Sequence, residues 1–212
     1  SLDGRLLVGV INSLGVRRDT KAVELLIAKL NDANADVASA AAVALGHIGT
    51  PAAIESLRGA LAEASVGSRS AIAEGCVLSA ERLQNDGDSV AAAEIYDEVR
   101  RADVPLQRVI EATRGAILAR KQDGIPLLME TFRSTDEKMF QLALGTIREF
   151  PGDEVDKTLA AELNSANPGR AALIVQAVAD RPDTVSLPVV LQAAKSGDKP
   201  PRPSAIHALQ RI

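Results

Sequence analysis

Large aromatic side chains are almost missing from this chain. Only Phe132, Phe140, Phe150 and Tyr96 are present among 212 residues, and there is no Trp. A compact core usually leans on a few large rings. Here the apolar content is Ala, Leu, Val and Ile, which suits thin layers of closely packed helices, since Ala and Leu are the strongest helix formers. Cysteine is equally scarce. The single Cys76 excludes an intrachain disulfide and removes the paired-Cys signature of a small secreted domain. It sits in the apolar run Ala73-Glu74-Gly75-Cys76-Val77-Leu78, where packing is expected and catalysis is not.

Other absences bound the partners. No apolar run approaches the length of a membrane span, so no membrane partner is expected. The net charge of −4 and the lack of any block of five like charges argue against a phosphate-neutralising surface, and hence against a nucleic-acid partner. The nearest thing to a basic patch is Arg100, Arg101, Arg108, Arg114, Arg120 and Lys121. Glu94, Asp97, Glu98, Asp103, Glu111 and Asp123 are interspersed with it, as on a solvated face with i,i+4 pairs. No stretch alternates with period two and no Asn-Gly hairpin occurs, which predicts an all-α chain.

What is there is a repeat. An apolar helix ends in a short turn that leads to another helix, as at Leu14-Gly15-Val16-Arg17-Arg18-Asp19 and again at Leu45-Gly46-His47-Ile48-Gly49-Thr50. The successive starts Asp19, Thr50, Asp88, Asp123, Asp153 and Asp183 are 31, 38, 35, 30 and 30 residues apart by subtraction. Such a period holds two helices of three or four turns, two short turns and little else.

The local signals agree. Thr50 is a natural N-cap with Pro51 at the first helical position, and Asn167-Pro168 repeats that start. Asp36 is expected to open the helix Val37 to Leu45, and Gly15, Gly46 and Gly49 to supply left-handed C-caps. Pro126 and Pro188 fall in first turns if Asp123 and Ser186 are the caps. The longer second unit has extra residues around Ala64 to Ser70 and Gln84 to Asp88, expected to lengthen a helix or a loop.

The segment Asp36-Val37-Ala38-Ser39-Ala40-Ala41-Ala42-Val43-Ala44-Leu45-Gly46-His47-Ile48-Gly49 resembles the second helix and turn of a HEAT repeat. It is similar above all to the short bacterial type also found in phycobilisome lyases. The resemblance implies a right-handed α-α superhelix, a HEAT-like, armadillo-type solenoid of about six helix pairs plus an extra N-terminal helix, spanning residues 1–212 as a single array. It also implies a concave wall built from the second helices and a role in binding proteins or peptides. Residues 3 to 14 read as a second helix without its partner, with the stripe Leu6, Leu7, Val10, Ile11 and Leu14. Ala205 to Ile212 stops inside a helix, with Ile206, Leu209 and Ile212 apolar. Uncapped ends of this kind predict a fragment of a longer protein, or ends that make contacts of their own.

Specific chemistry is not spelled out. His47 and His207 lie in different units and neither is followed by Glu, whereas HEAT-fold metalloenzymes are built on His-Glu pairs. No Cys-x-x-Cys, His-Glu-x-x-His or phosphate-cradling glycine loop occurs. Gly67-Ser68-Arg69-Ser70 reads as the start of a helix, not as a nucleophile elbow. The expectation is therefore no catalytic residue, no metal and no cofactor. Polar positions off the apolar stripes of the second helices remain as partner-binding candidates: Asn12, Glu74, Glu111, Arg114, Gln141, Arg148, Gln176 and His207, with Glu81 likewise off its stripe. A scaffold for a protein or peptide is the expected function. An accessory module that positions a substrate for a larger multidomain enzyme and a bilin-lyase-like protein stand as alternatives.

Overall fold

In the computed structural model, residues 4–64, 67–150, 154–181, 187–195 and 201–209 are described. Among them every regular element is helical, and the helices come in pairs. After α1 (Gly4–Val16), the pairs are α2 (Val23–Lys29) with α3 (Ala35–Ile48), α4 (Pro51–Glu63) with α5 (Arg69–Asn85), and α6 (Ser89–Arg101) with α7 (Leu106–Ala119). Then follow α8 (Ile125–Phe132) with α9 (Glu137–Glu149), α10 (Glu154–Ser165) with α11 (Pro168–Ala179), and α12 (Leu187–Ala194) with α13 (Pro201–Leu209). The chain divides into two compact units, Ser1–Arg120 and Lys121–Ile212.

Within the first unit, the second helices pack in sequence, α1 on α3, α3 on α5 and α5 on α7, while α2, α4 and α6 form a thinner outer layer. Small residues set the spacing. Ala41, Ala42, Ala73 and Ala80 are wholly buried, so neighbouring backbones approach closely along this layer. Gly46 and Gly75 take the approach furthest: a Cβ on Gly75 would stand 2.4 Å from the Ala42 carbonyl oxygen, and one on Gly46 would stand 2.5 Å from that of Gly75. In the second unit α9 packs on α11 and α11 on α13. Phe132 and Phe140 fill the space beside α8 and α9 with ring centroids 5.2 Å apart, and the Arg170 guanidinium lies 4.6 Å over the Phe140 ring.

Side chains close several helix starts. Thr50 accepts from the Ala53 amide, Asp88 from Ala91, Asp136 from Lys138 and Met139, and Asn167 from Arg170. Pro51, Pro126 and Pro168 all sit in first turns, where a missing N–H breaks nothing.

Three local expectations need correction. Helix α3 starts at Ala35, and its N-cap is Asn34, which accepts from the Asp36 and Val37 amides. Asp32 accepts from the Asn34 amide and so turns the chain before Asp36 is reached. Of the three glycines proposed as caps, only Gly49 is left-handed, at φ 62°. Gly15 and Gly46 are helical and serve close packing instead. Asp123 lies inside a 3-10 turn (Lys121–Gly124), and the cap position of α8 belongs to Gly124. Asp153, Asp183, Ser186 and Ile212 fall outside the described residues.

The extra length of the second pair goes into α5, which at 17 residues is the longest helix described. Helix α1 meets α3 through Ile11, 2% exposed, and leaves Leu6 and Val10 of its stripe open. No described helix is long and apolar enough to cross a membrane.

Candidate functional site

The candidate residues divide between the two units. Asn12, Glu74, Glu111 and Arg114 belong to the first, and Gln141, Arg148, Gln176 and His207 to the second. Only α5 and α7 gather several of them in one place. These helices run side by side, so polar positions one or two turns apart on each meet across the gap between them.

Arg108 joins them. Its guanidinium donates to the Glu74 carboxylate on α5, to Glu111 Oε2 on α7 at 2.7 Å and to Ser70 Oγ at 3.4 Å. Gln107 donates to the other Glu111 oxygen at 3.0 Å. Arg108 keeps 19% of its side chain exposed, so the cluster is half-sunk in the surface. From sequence, Arg108 falls in the basic patch expected to be a solvated face and is not among the candidate residues. Its separation of 34 residues from Glu74, about one repeat period, was the available signal.

Next to this cluster lies a cavity of about 310 Å³, lined by Glu81, Gln84, Asn85, Tyr96, Glu111, Arg114, Gly115 and Leu118. Its floor is the Tyr96 ring, 2% exposed. The ring fits there because residue 115 is glycine: a Cβ at that position would stand 2.4 Å from Tyr96 Cε1. Burial first, and the Glu81 carboxylate second, push the Tyr96 phenol above its ordinary range, while Arg114 pulls the other way. The hydroxyl therefore stays protonated at neutral pH. Larger hollows of about 620 and 640 Å³ occur in the same unit, against α2 to α5 and between α4 and α6, and gather none of the candidate residues.

Most of the remaining basic patch is internally neutralised. Arg100, Arg101 and Arg120 converge on Asp97 at 2.7, 3.1 and 2.8 Å. Burial opposes the Asp97 charge, but the Arg100 hydrogen bond and the three guanidinium charges outweigh it and hold the carboxyl below its usual range. Arg58 pairs with Glu98 and Arg69 with Asp103. Cys76, 1% exposed, packs near the Arg58–Glu98 pair, and burial pushes its thiol up to about 12.

The other candidates stand apart from this cavity. Asn12 is exposed on α1. Gln141 donates to Glu137 at 2.7 Å within α9, and Arg148 reaches Asp180 at 3.3 Å. Gln176 and His207 are exposed on α11 and α13. His47 is half-buried, and its carbonyl oxygen accepts from Arg82. Among the described residues, no group of three His, Cys, Asp or Glu side chains is placed to hold a metal ion.

Stacked helix pairs, with a polar cluster and cavity on the second helices, define a helical repeat protein of the solenoid class. The family described as HEAT repeats matches residues 3–75, which covers α1 to the first part of α5. The fold is shared with a chain of the complex of CpcE and CpcF of phycocyanin lyase from Nostoc sp. PCC7120, at TM-score 0.50 and 17% identity, over 100% of this chain and 90% of that one. Human deoxyhypusine hydroxylase, solved in complex with glycerol, superposes with a TM-score of 0.41 and 20% identity over 97% of this chain and 78% of that one. No curated protein matches the chain.

Proposed function

We propose that this protein is an interaction scaffold that binds a protein or peptide partner on its second helices and carries no catalytic activity of its own. The observation that supports this best is the α5–α7 surface. There Glu74, Arg108 and Glu111 form a half-exposed charge cluster beside the cavity over Tyr96. Mixed charge around one recess suits a polypeptide, whose own side chains and amides alternate in character. A protein partner is in keeping with the similar Nostoc chain, which comes from a complex of two proteins.

Affinity capture from source-cell extract tests the reading, with mass spectrometry of what is retained. The native chain is the bait, and the chain carrying Glu111→Arg and Arg114→Glu is its control. A protein held by the native bait and lost by the control is the expected result. Equal retention by both baits, or none by either, removes this surface as the binding site.

A further inference from the structure

We infer that the cavity formed by Glu81, Glu111 and Arg114 over Tyr96 is a pocket for a single basic side chain, a lysine or arginine of a bound polypeptide. This rests on the scaffold reading and specifies the chemistry of the partner.

Size argues for one side chain. The cavity, at about 310 Å³, lies at the bottom of the range of roughly 300–1,000 Å³ usual for small-molecule pockets. A folded element is too large for it. Charge argues for a cation. Glu74, Glu81 and Glu111 supply three carboxylates against the two guanidinium groups of Arg108 and Arg114, a surplus of one negative charge. Arg108 divides itself between Glu74 and Glu111, so neither carboxylate has a counter-ion to itself. An anion entering the cavity would meet Glu81 and Glu111 together, with Arg114 alone to receive it. Arg114, also in the lining, disfavours a second cation, which limits the pocket to one basic group.

The floor adds an acceptor. Tyr96 is 2% exposed and lines the cavity. An ammonium or guanidinium group is a pure donor. It suits a recess whose lining includes a phenol, the side-chain amides of Gln84 and Asn85 and the carboxylates of Glu81 and Glu111, all of them groups with acceptor oxygens.

The test uses a property of the composition. Tyr96 is the only tyrosine and there is no Trp, so intrinsic tyrosine emission from the intact chain reports on this pocket alone. The probes are capped pentapeptides of Gly and Ser with a central Arg, Lys or Glu, together with free arginine, titrated at low ionic strength. The Arg and Lys peptides are expected to change the emission saturably, and the Glu peptide to leave it flat. Glu81→Gln, at an exposed position where folding is not at stake, is expected to weaken the Arg peptide about fivefold, the scale of one screened ion pair. Free arginine acting as well as the Arg peptide overturns the assignment to a polypeptide side chain. A Glu peptide as effective as the Arg peptide overturns it too, as does a Glu81→Gln chain with undiminished response. No response to any peptide, in a protein whose capture is still lost on Glu111→Arg with Arg114→Glu, overturns the pocket and leaves the scaffold. A saturable basic-peptide response with capture insensitive to that pair of substitutions supports the pocket and removes the scaffold.

Discussion

Arg181 donates from Nη1 to the Ile147 carbonyl oxygen at 2.6 Å, reaching from just beyond α11 to the last turn of α9. Arg82, near the end of α5, makes the equivalent contact to the His47 carbonyl of α3 at 3.3 Å. The sequence separations are 34 and 35 residues, one repeat period in each unit. The last carbonyls of a helix have no acceptor role within it, and here the next helix pair supplies an arginine to use them. A cation at that end is also favoured by the helix dipole.

The Arg181 contact is deeply set. Its Nε also lies 3.2 Å from Asp156 Oδ1, with side-chain exposures of 2% and 5%. Replacing the arginine strands the carboxylate in a buried place. Arg181→Met is expected to cost about 3–5 kcal/mol in urea denaturation, the usual penalty for breaking a buried pair from one side. Adding Asp156→Leu to the same chain is expected to restore a large part of that loss. A double variant as unstable as the single one contradicts the pairing.

Glycines on the second-helix layer are expected to differ sharply from those outside it. Gly75→Ala places a methyl 2.4 Å from the Ala42 carbonyl oxygen, a backbone atom that cannot swing aside. A loss of about 3 kcal/mol or more is expected. Gly59 on α4 has nothing within 4 Å of its Cβ direction. Gly59→Ala should therefore stabilise by about 0.5–1 kcal/mol through helix propensity. Thermal melts of the two variants moving in opposite directions confirm the close approach; similar shifts refute it.

Acid should dissolve the Asp97 cluster in a defined way. The carboxyl is held below its ordinary value in the folded chain, so its stabilisation is complete above the unfolded value of about 3.9. It is lost as pH falls through the lower folded value. Asp97→Asn is expected to cost about 2 kcal/mol near neutrality, a charged hydrogen-bond partner having been removed. That difference from the native chain should stay level down to about pH 5 and shrink below about pH 4. A difference that instead grows on acidification contradicts the sign of the shift.

Cys76 should be inert to thiol reagents while the chain is folded. Reaction needs the thiolate, and burial pushes the thiol up to about 12. At pH 8 only about one molecule in ten thousand is then ionised, behind a side chain that is 1% exposed. A colorimetric disulfide reagent is expected to titrate one thiol in denaturant and essentially none in buffer. Rapid stoichiometric reaction of the native chain would place Cys76 at the surface.

Periodicity alone determined much of this molecule. The spacing of apolar residues, the turns before Thr50 and Asp88, and the prolines at helix starts were enough to give paired helices, because those signals act within a few residues of the chain. Local signals misled where two roles share one residue type. Gly46 and Gly49 both follow the apolar run of α3, yet only Gly49 turns the backbone left-handed. Gly46 is there because α5 passes too close for a Cβ, and nothing near it in sequence carries that fact.

The candidate site shows the same division. Helical spacing put Glu74, Glu81, Glu111 and Arg114 off the apolar stripes as polar positions, each by itself equivalent to Asn12 or Gln176. Tertiary packing of α5 beside α7 decided which of them meet, brought Arg108 between Glu74 and Glu111, and laid Tyr96 against Gly115 as a floor. A side chain's helical face follows from a repeat of 3.6 residues. Its neighbours across an interhelical gap depend on backbone distances set by buried alanines and glycines many residues away, and those only the folded chain fixes.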